Sequence, residues 1–397
     1  MENSAKRYLL EAFREKYHRA SRKGKGEILE EVCKLLDCHR KHAIRVLKKR
    51  PPGRKPGGQK RGRKPRYDTP EFLRALHRVR RVMEFRNAEV MKKNMPEWLP
   101  FIEEHYGEFE PSIREKLLSI SASTIKRYIQ RLRDQGGKGL TSTRPGSILR
   151  NSIPIRVESF WDESIPGRMA TDTVAHCGNT TEGQYAHSLD MVDPVTHWSA
   201  QRATWGKGSG GVLDQTKDIE EALPFPLTGI HVDSGSEFIN YHFLRYFAPP
   251  RRGDPFMLTR SRPNQKNDNC YVEQKNWSVV RRYFGYDRFD FAELVPLMND
   301  LYRNELYLYL NHFCRTFKLS EKVAIKSRYR RIYGEPETPY ERVLKSPHVA
   351  AETKERLFER HRDLDPVGLK LAIEEKLKKF FALYRRLLAA RKAASAA

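Results

Sequence analysis

The chain has 397 residues, room for about two to four domains, and 39% of them are hydrophobic, enough to build cores. Against 50 Asp and Glu stand 75 Lys and Arg; the net charge of +25 points to a polyanionic partner, and nucleic acid fits better than a lipid surface. The five cysteines are too scattered for a disulfide framework, no apolar run is long enough to span a membrane, and the charged N-terminus has no signal-peptide core, so a cytoplasmic, nucleoid-associated protein with no membrane partner is expected.

Residues 8–50 read as helices. Ile28, Val32, Leu35 and Leu36 recur at helical spacing, Asp37-Cys38-His39 breaks the run, and Ala43, Ile44 and Leu47 resume it. Two short amphipathic helices about a tight turn predict a helix-turn-helix over residues 1–50, whose second helix offers Arg40, Lys41 and Arg45 to DNA. Cys33, Cys38, His39 and His42 lie near one another, but their spacing matches no zinc-finger pattern and they fall inside the helical period; core cysteines and surface histidines are expected.

Residues 51–66, PPGRKPGGQKRGRKPR, cannot pack a core, because proline and glycine break every period. From Arg40 to Arg66 thirteen residues are Lys or Arg and none is acidic, a bias that a linker does not need. Arg61-Gly62-Arg63-Lys64-Pro65 resembles an AT-hook, an extended arm laid in a narrow minor groove. The expected DNA contacts here are Arg54, Lys55, Arg61, Arg63 and Lys64.

Residues 67–136 are helical again. Ile113, Leu117, Leu118 and Ile120 form one apolar set; Ser121-Ala122-Ser123-Thr124 offers an N-cap; Ile125, Tyr128, Ile129 and Leu132 follow at helical spacing. This is a second helix-turn-helix, with Lys126 and Arg127 on its exposed side. A Gly/Ser/Pro-rich linker over 137–157 ends the helical third.

The pattern then changes to strands. Residues 168–177, 184–193, 197–203, 228–232 and 257–260 read as strands, with helices over 209–222, 236–247 and 269–284; the order is βββαβαβα. Asp172 sits in mid-strand between Ala170 and Val174 of its own face, where an unpaired carboxylate faces a desolvation cost. Asp233 ends a short strand, the usual place for a functional side chain in an α/β sheet, and Glu273 lies on the helix after the last strand. Three carboxylates on two strands and a helix form a hard-oxygen set suited to Mg²⁺ or Mn²⁺.

Thr171-Asp172-Thr173-Val174-Ala175-His176, His231-Val232-Asp233-Ser234-Gly235-Ser236-Glu237-Phe238 and the run from Ser261 to Asn276 resemble the DDE transposases of bacterial insertion sequences, which have a retroviral-integrase-type catalytic core. Leu310-Asn311-His312-Phe313 and Thr338-Pro339-Tyr340 extend the resemblance, which covers about residues 155 to 345. Two features depart from the pattern. Asp233 and Glu273 are a few residues further apart than is usual, and Ser234 stands where Asn is common.

The resemblance implies a multidomain chain: N-terminal all-α helix-turn-helix units, a ribonuclease-H-like α/β core over 158–305, and a mainly helical, basic C-terminal region over 306–397. It implies catalysis by Asp172, Asp233 and Glu273 with two Mg²⁺ or Mn²⁺ ions per active site, 3′-end cleavage at the element's terminal inverted repeats, and strand transfer into target DNA. Asp172 would bridge the ions, with Asp233 and Glu273 each holding one. Lys266, Lys275 and Arg281 are expected phosphate contacts near the metals. Asp190, Asp193 and His176 read as structural, Asp268 as a loop acid, and Glu237 as support for a helix. In the C-terminal region, Leu369, Leu371, Ile373, Leu377, Phe380, Phe381, Tyr384 and Leu387 share one side of a helix, which either packs within the fold or joins the subunits of a homo-oligomer on DNA. Two rivals remain: a nuclease of the same fold, to which the long site-reading N-terminal region is ill suited, and a domesticated DNA-binding regulator, which would have lost a metal carboxylate.

Overall fold

The computed structural model describes residues 10, 13–36, 38–48, 66–84, 87–131, 164–206, 208–232, 238, 241–247, 256–261, 270–325 and 328–396. They fall into two compact units, Met1–Arg66 and Tyr67–Ala397. Among the described residues no helix is long and apolar enough to cross a membrane.

In the first unit, α1 (Arg22–Leu36) and α2 (Arg40–Leu47) follow a helical stretch over 13–19. Tyr17, Leu29, Val32, Ala43 and Leu47 form its core, with Ile28, Cys33, Leu36, Cys38 and Ile44 packed against it. Leu35 departs from the expected apolar set: it is exposed, because the other members already take the inward stripe. His39 caps α2 by accepting a hydrogen bond at Nδ1 from the Lys41 backbone N–H, 3.2 Å away, which ties this histidine to helix initiation.

The second unit opens with four helices, α3 (Pro70–Met83), α4 (Ala88–Tyr106), α5 (Pro111–Ser119) and α6 (Ala122–Arg131). Thr69 and Asn87 cap α3 and α4, and Gly107, at φ 86°, ends α4 in a conformation that suits glycine. Ser121 Oγ accepts from the Thr124 backbone N–H and starts α6, as the Ser/Thr run predicts.

The sheet has the spatial order β3-β2-β1-β4-β5. β1 (Arg168–Ala175), β2 (Ala186–Val192) and β3 (Ser199–Trp205) form an antiparallel meander, and β4 (Gly229–Val232) and β5 (Met257–Arg260) add to β1 in parallel. The parallel additions need crossover connections, which carry α7 (Ser209–Ala222) and α8 (Tyr241–Phe247). One face of the sheet, with Met169, Leu189, Met191, Ala200, Ile230 and Val232, packs on Val212, Ile219, Phe243 and Phe247 of these helices.

The other face meets α9, which runs from Cys270 to Phe284 and adopts a π-helical register over Asn276–Arg281. α10 (Leu294–Arg303) and α11 (Glu305–Phe313) lie behind it. β6 (Leu319–Ile325) and β7 (Arg328–Tyr333) form an antiparallel hairpin within the C-terminal region, which was expected to be mainly helical and basic. α12 (Pro339–Lys345), α13 (Ala351–Arg362) and α14 (Pro366–Ala396) complete the chain.

A single hydrophobic core runs through Phe72, Trp98 and Ile125 of the N-terminal helices, Met298 and Phe313 of α10 and α11, and Ile373 and Phe380 of α14. Trp98 meets Tyr309 and Phe313 edge-on, and Asn94 donates to the Phe313 carbonyl. The described parts of the expected segments 67–136, 158–305 and 306–397 therefore share one core. The apolar side of α14 is largely consumed by this packing: Ile373 and Phe380 are buried and Leu369, Leu377, Phe381, Tyr384 and Leu387 are half-buried against the core, while Leu371 faces solvent.

Candidate active site

Strand alternation and register build the site. Ala170, Asp172 and Val174 share one face of β1, where Asp172 lies directly across from Asp190 of β2, and Asp190 across from Gln201 of β3. α9 is seated on this face by Val272, which packs on Ala170 and Val192. Its Asn276 Nδ2 donates to Asp172 Oδ2 at 2.6 Å, while the other oxygen of Asp172 accepts the Thr173 backbone N–H at 2.8 Å. Asp172 is half-buried and Glu273 is exposed. Glu273 and Asn276 are three residues apart and so occupy neighbouring positions on the helix surface. The bond from Asn276 thus draws the part of α9 that carries Glu273 to the strand that carries Asp172.

Val232, the last residue of β4, pairs with Thr171, next to Asp172. Asp233 follows Val232 and lies outside the described residues, as do Glu237, Lys266 and Asp268. The next polar row on β4 and β5 is buried and mutually satisfied: His231 Nδ1 bonds Thr259 Oγ1 at 2.8 Å and its Nε2 bonds Ser261 Oγ at 3.1 Å.

Behind Asp172 lies a polar network that sequence reasoning missed. Asp190 is fully buried; Oδ1 accepts from Gln201 Nε2 at 2.9 Å, and Oδ2 has no hydrogen-bond partner among the described residues. Burial pushes its carboxyl up to about 7, against the pull of the Gln201 bond and the Lys275 ammonium. Lys275 is itself buried, with Nζ 3.4 Å from Ser199 Oγ, and burial lowers its pKa. Asn311 closes the network by bonding both the N–H and the carbonyl of Ser199. The expectation for Lys275 is corrected: the ammonium is directed into the fold beside Asp190 and is no surface contact for a phosphate. Arg281 is corrected likewise, since its guanidinium bonds the carbonyls of Ala175 and Gly285 and stacks on Tyr286. Asn276 is the last residue of the motif run that begins at Ser261, and its spacing of three from Glu273 is the signal that points to a shared site.

Asp193 and His176 take structural roles. Asp193 is buried and accepts from Gly167 N, Thr196 N and Thr196 Oγ1, holding the β2–β3 turn; burial raises its carboxyl to about 6. His176 bonds Ser188 Oγ at 2.8 Å and stacks on Phe289, and burial holds it well below the usual histidine range.

The remaining candidate contacts are dispersed. Arg40, Lys41 and Arg45 are exposed on α2, and Lys126 and Arg127 are exposed on α6, where Arg127 also bonds Thr124 Oγ1. Arg54, Lys55, Arg61, Arg63 and Lys64 lie outside the described residues. Among the described residues no three His, Cys, Asp or Glu side chains converge as a metal-holding group. A cleft of about 820 Å³ is lined by Asn87, Lys92, Lys93, Phe317 and Tyr333 and by no residue of the Asp172 site.

No protein-family model matches the sequence. Over 338 residues the chain is 34% identical to the uncharacterized protein y4rM of Sinorhizobium fredii (strain NBRC 101917 / NGR234), an alignment that takes in 84% of this chain and 93% of that protein. The chain belongs to the y4rM family. The alignment extends over most of both y4rM-family chains, so the likeness is one of whole proteins rather than of a shared segment.

Proposed function

We propose that this chain is a DNA transposase of the DDE kind, which cuts the ends of a mobile element and joins them to target DNA. The observation that carries the reading is the 2.6 Å bond from Asn276 to Asp172, which ties the helix of Glu273 to the central strand beside the point where β4 leads into Asp233. The sheet order, an antiparallel meander extended by two parallel strands, agrees with a ribonuclease-H-like core. The charge of +25 suits a DNA partner bound largely through its phosphates.

The donor set fits a hard divalent cation. Asp172 is half-buried and accepts from two amide N–H groups that orient its carboxylate, and Glu273 is exposed. Asp172, Asp233 and Glu273 would hold Mg²⁺ or Mn²⁺. When bound, the ions stabilise charge on the attacking and leaving oxygens of an in-line displacement at phosphorus.

The protein's own residues set the geometry. Asn276 and the Thr173 N–H fix both oxygens of Asp172, and Val272 sets the depth of α9 on the sheet. Water attacks the terminal phosphorus and gives its proton to solvent, the P–O3′ bond breaks, and the leaving 3′-oxygen takes a proton from solvent; the 3′-OH so freed attacks a target phosphorus, losing its proton to solvent as the target's own P–O3′ bond breaks and that 3′-oxygen is protonated. The exposed cations of α2 and α6 and the 51–66 arm would bind the flanking duplex.

The test is cleavage and joining of labelled terminal DNA from the element that flanks the gene, in Mg²⁺, by wild type and Asp233→Asn. The reading expects nicked ends and joined products from wild type and neither from the variant. Binding without cutting would favour the regulator, and cleavage of any duplex without joining would favour the nuclease.

A further inference from the structure

Trp277 is 62% exposed, although it belongs to the same helical segment as Lys275, Val279 and Val280, which are buried. It lies in the π-helical run that begins at Asn276. Such a run is rare inside an α-helix and is frequently found at functional sites. Within it Asn276 bonds Asp172 and Val279 and Val280 are buried, while Trp277 is exposed. Trp277 is four residues beyond Glu273, about one helical turn or 6 Å along the axis. On its far side Arg281 stacks on Tyr286, itself exposed. A large apolar ring is thus held in solvent between the exposed carboxylate of Glu273 and a cation over an aromatic ring, in a chain of net charge +25.

We propose that Trp277 is a stacking platform for an unpaired nucleobase of the DNA strand next to the phosphate that reacts at Asp172 and Glu273. This rests on the DNA-processing reading of the same site. An indole one turn from the metal carboxylates lies within a nucleotide's reach of the reacting phosphate. Within a closed duplex a base has both faces occupied by its neighbours, so the occupant is a base released from the stack. Each base has a π-face, so the platform is tolerant of sequence, and stacking of this kind is worth about 1–3 kcal/mol per base. The anchored helix around Trp277 means that little ordering has to accompany the contact.

The experiment uses the full chain in EDTA, so that binding is read without chemistry. Two DNA probes of the same sequence are compared: a fully paired duplex, and a forked duplex whose first unpaired base is 2-aminopurine. Affinity for both is read by anisotropy, and stacking by the 2-aminopurine fluorescence. Wild type and Trp277→Phe are expected to quench the fork signal. Trp277→Ala is expected to lose the quenching and about tenfold in affinity for the fork, with affinity for the paired duplex unchanged. The ring is solvent-facing, so its removal leaves no core cavity, and matching thermal unfolding of the three proteins verifies this. Equal quenching and equal fork affinity in Trp277→Ala would overturn the proposal and leave the DNA reading standing. If wild type binds neither probe, the DNA reading fails and the platform with it.

Discussion

Asp190→Asn isolates the buried carboxyl that faces Asp172. In the folded chain Asp190 keeps its proton up to about pH 7, whereas an aspartate in the unfolded chain releases it near 3.8. Between these values the native state binds more protons than the unfolded state, so stability falls as pH rises through this window. The contribution is full below about pH 4 and is lost by about pH 7; the gap corresponds to about 4 kcal/mol. Asparagine keeps the oxygen that accepts from Gln201 and places an amide where Oδ2 has no partner among the described residues. The unsatisfied amide costs about 1–3 kcal/mol, but equally at every pH. Asp193, with its carboxyl at about 6, titrates in both proteins and cancels from the difference. Urea unfolding at pH 4.5 and pH 7.5 is the assay. Wild type should lose about 3 kcal/mol more than Asp190→Asn between the two pH values. Identical pH dependence in the two proteins would refute the picture of a buried, proton-holding Asp190.

The other predictions follow from single side chains and one deletion. Asn276→Ala removes the amide that fixes Asp172, a charge-assisted bond worth about 1.5–3 kcal/mol, and should lower kcat by at least tenfold in a cleavage assay with little change in KM for DNA. Phe380→Ala empties a fully enclosed aromatic site between α14 and the α9 region and should cost about 3–5 kcal/mol in urea unfolding. Leu47→Ala should cost about 2–5 kcal/mol in an isolated 1–66 fragment, read by circular dichroism, provided the fragment shows a cooperative transition. Deleting residues 51–65 removes six Lys and Arg; log affinity for duplex DNA should then fall less steeply with log salt, the slope shrinking by about one for each phosphate that the arm neutralises.

The element order of the sheet region was legible because its strands are short β-rich runs separated by Gly, Pro and Asp turns. Met257–Arg260 and Ser209–Ala222 match the sequence reading to the residue. The facing of Asp172 and Asp190 was not legible. It depends on a register set across the ten residues between β1 and β2, and alternation within one strand says nothing about register. β2 also carries His187, Ser188 and Asp190 at buried positions, since helices cover both faces of the sheet, whereas polar residues in a strand read as solvent-facing. Lys275 was misplaced for a related reason: a basic side chain on a helix reads as surface, and nothing in the composition says that this face of α9 lies on the sheet. The apolar side of α14 was visible at helical spacing, but its partner was not. The choice between self-association and internal packing lies in tertiary structure, where Phe380 meets Phe284 and Phe289.

The claim that metal ions held by Asp172, Asp233 and Glu273 act on a DNA phosphodiester is tested most directly by sulfur at the 3′-bridging position of the scissile phosphate. Sulfur binds Mg²⁺ poorly and Mn²⁺ well, so a metal touching the leaving atom reveals itself by this exchange. The account predicts that wild type cuts oxygen-bridged terminal DNA in either metal and sulfur-bridged DNA only in Mn²⁺, and that Asp172→Asn and Asp233→Asn cut neither. Equal cleavage of the sulfur-bridged DNA in both metals, or cleavage that survives in either variant, would contradict it.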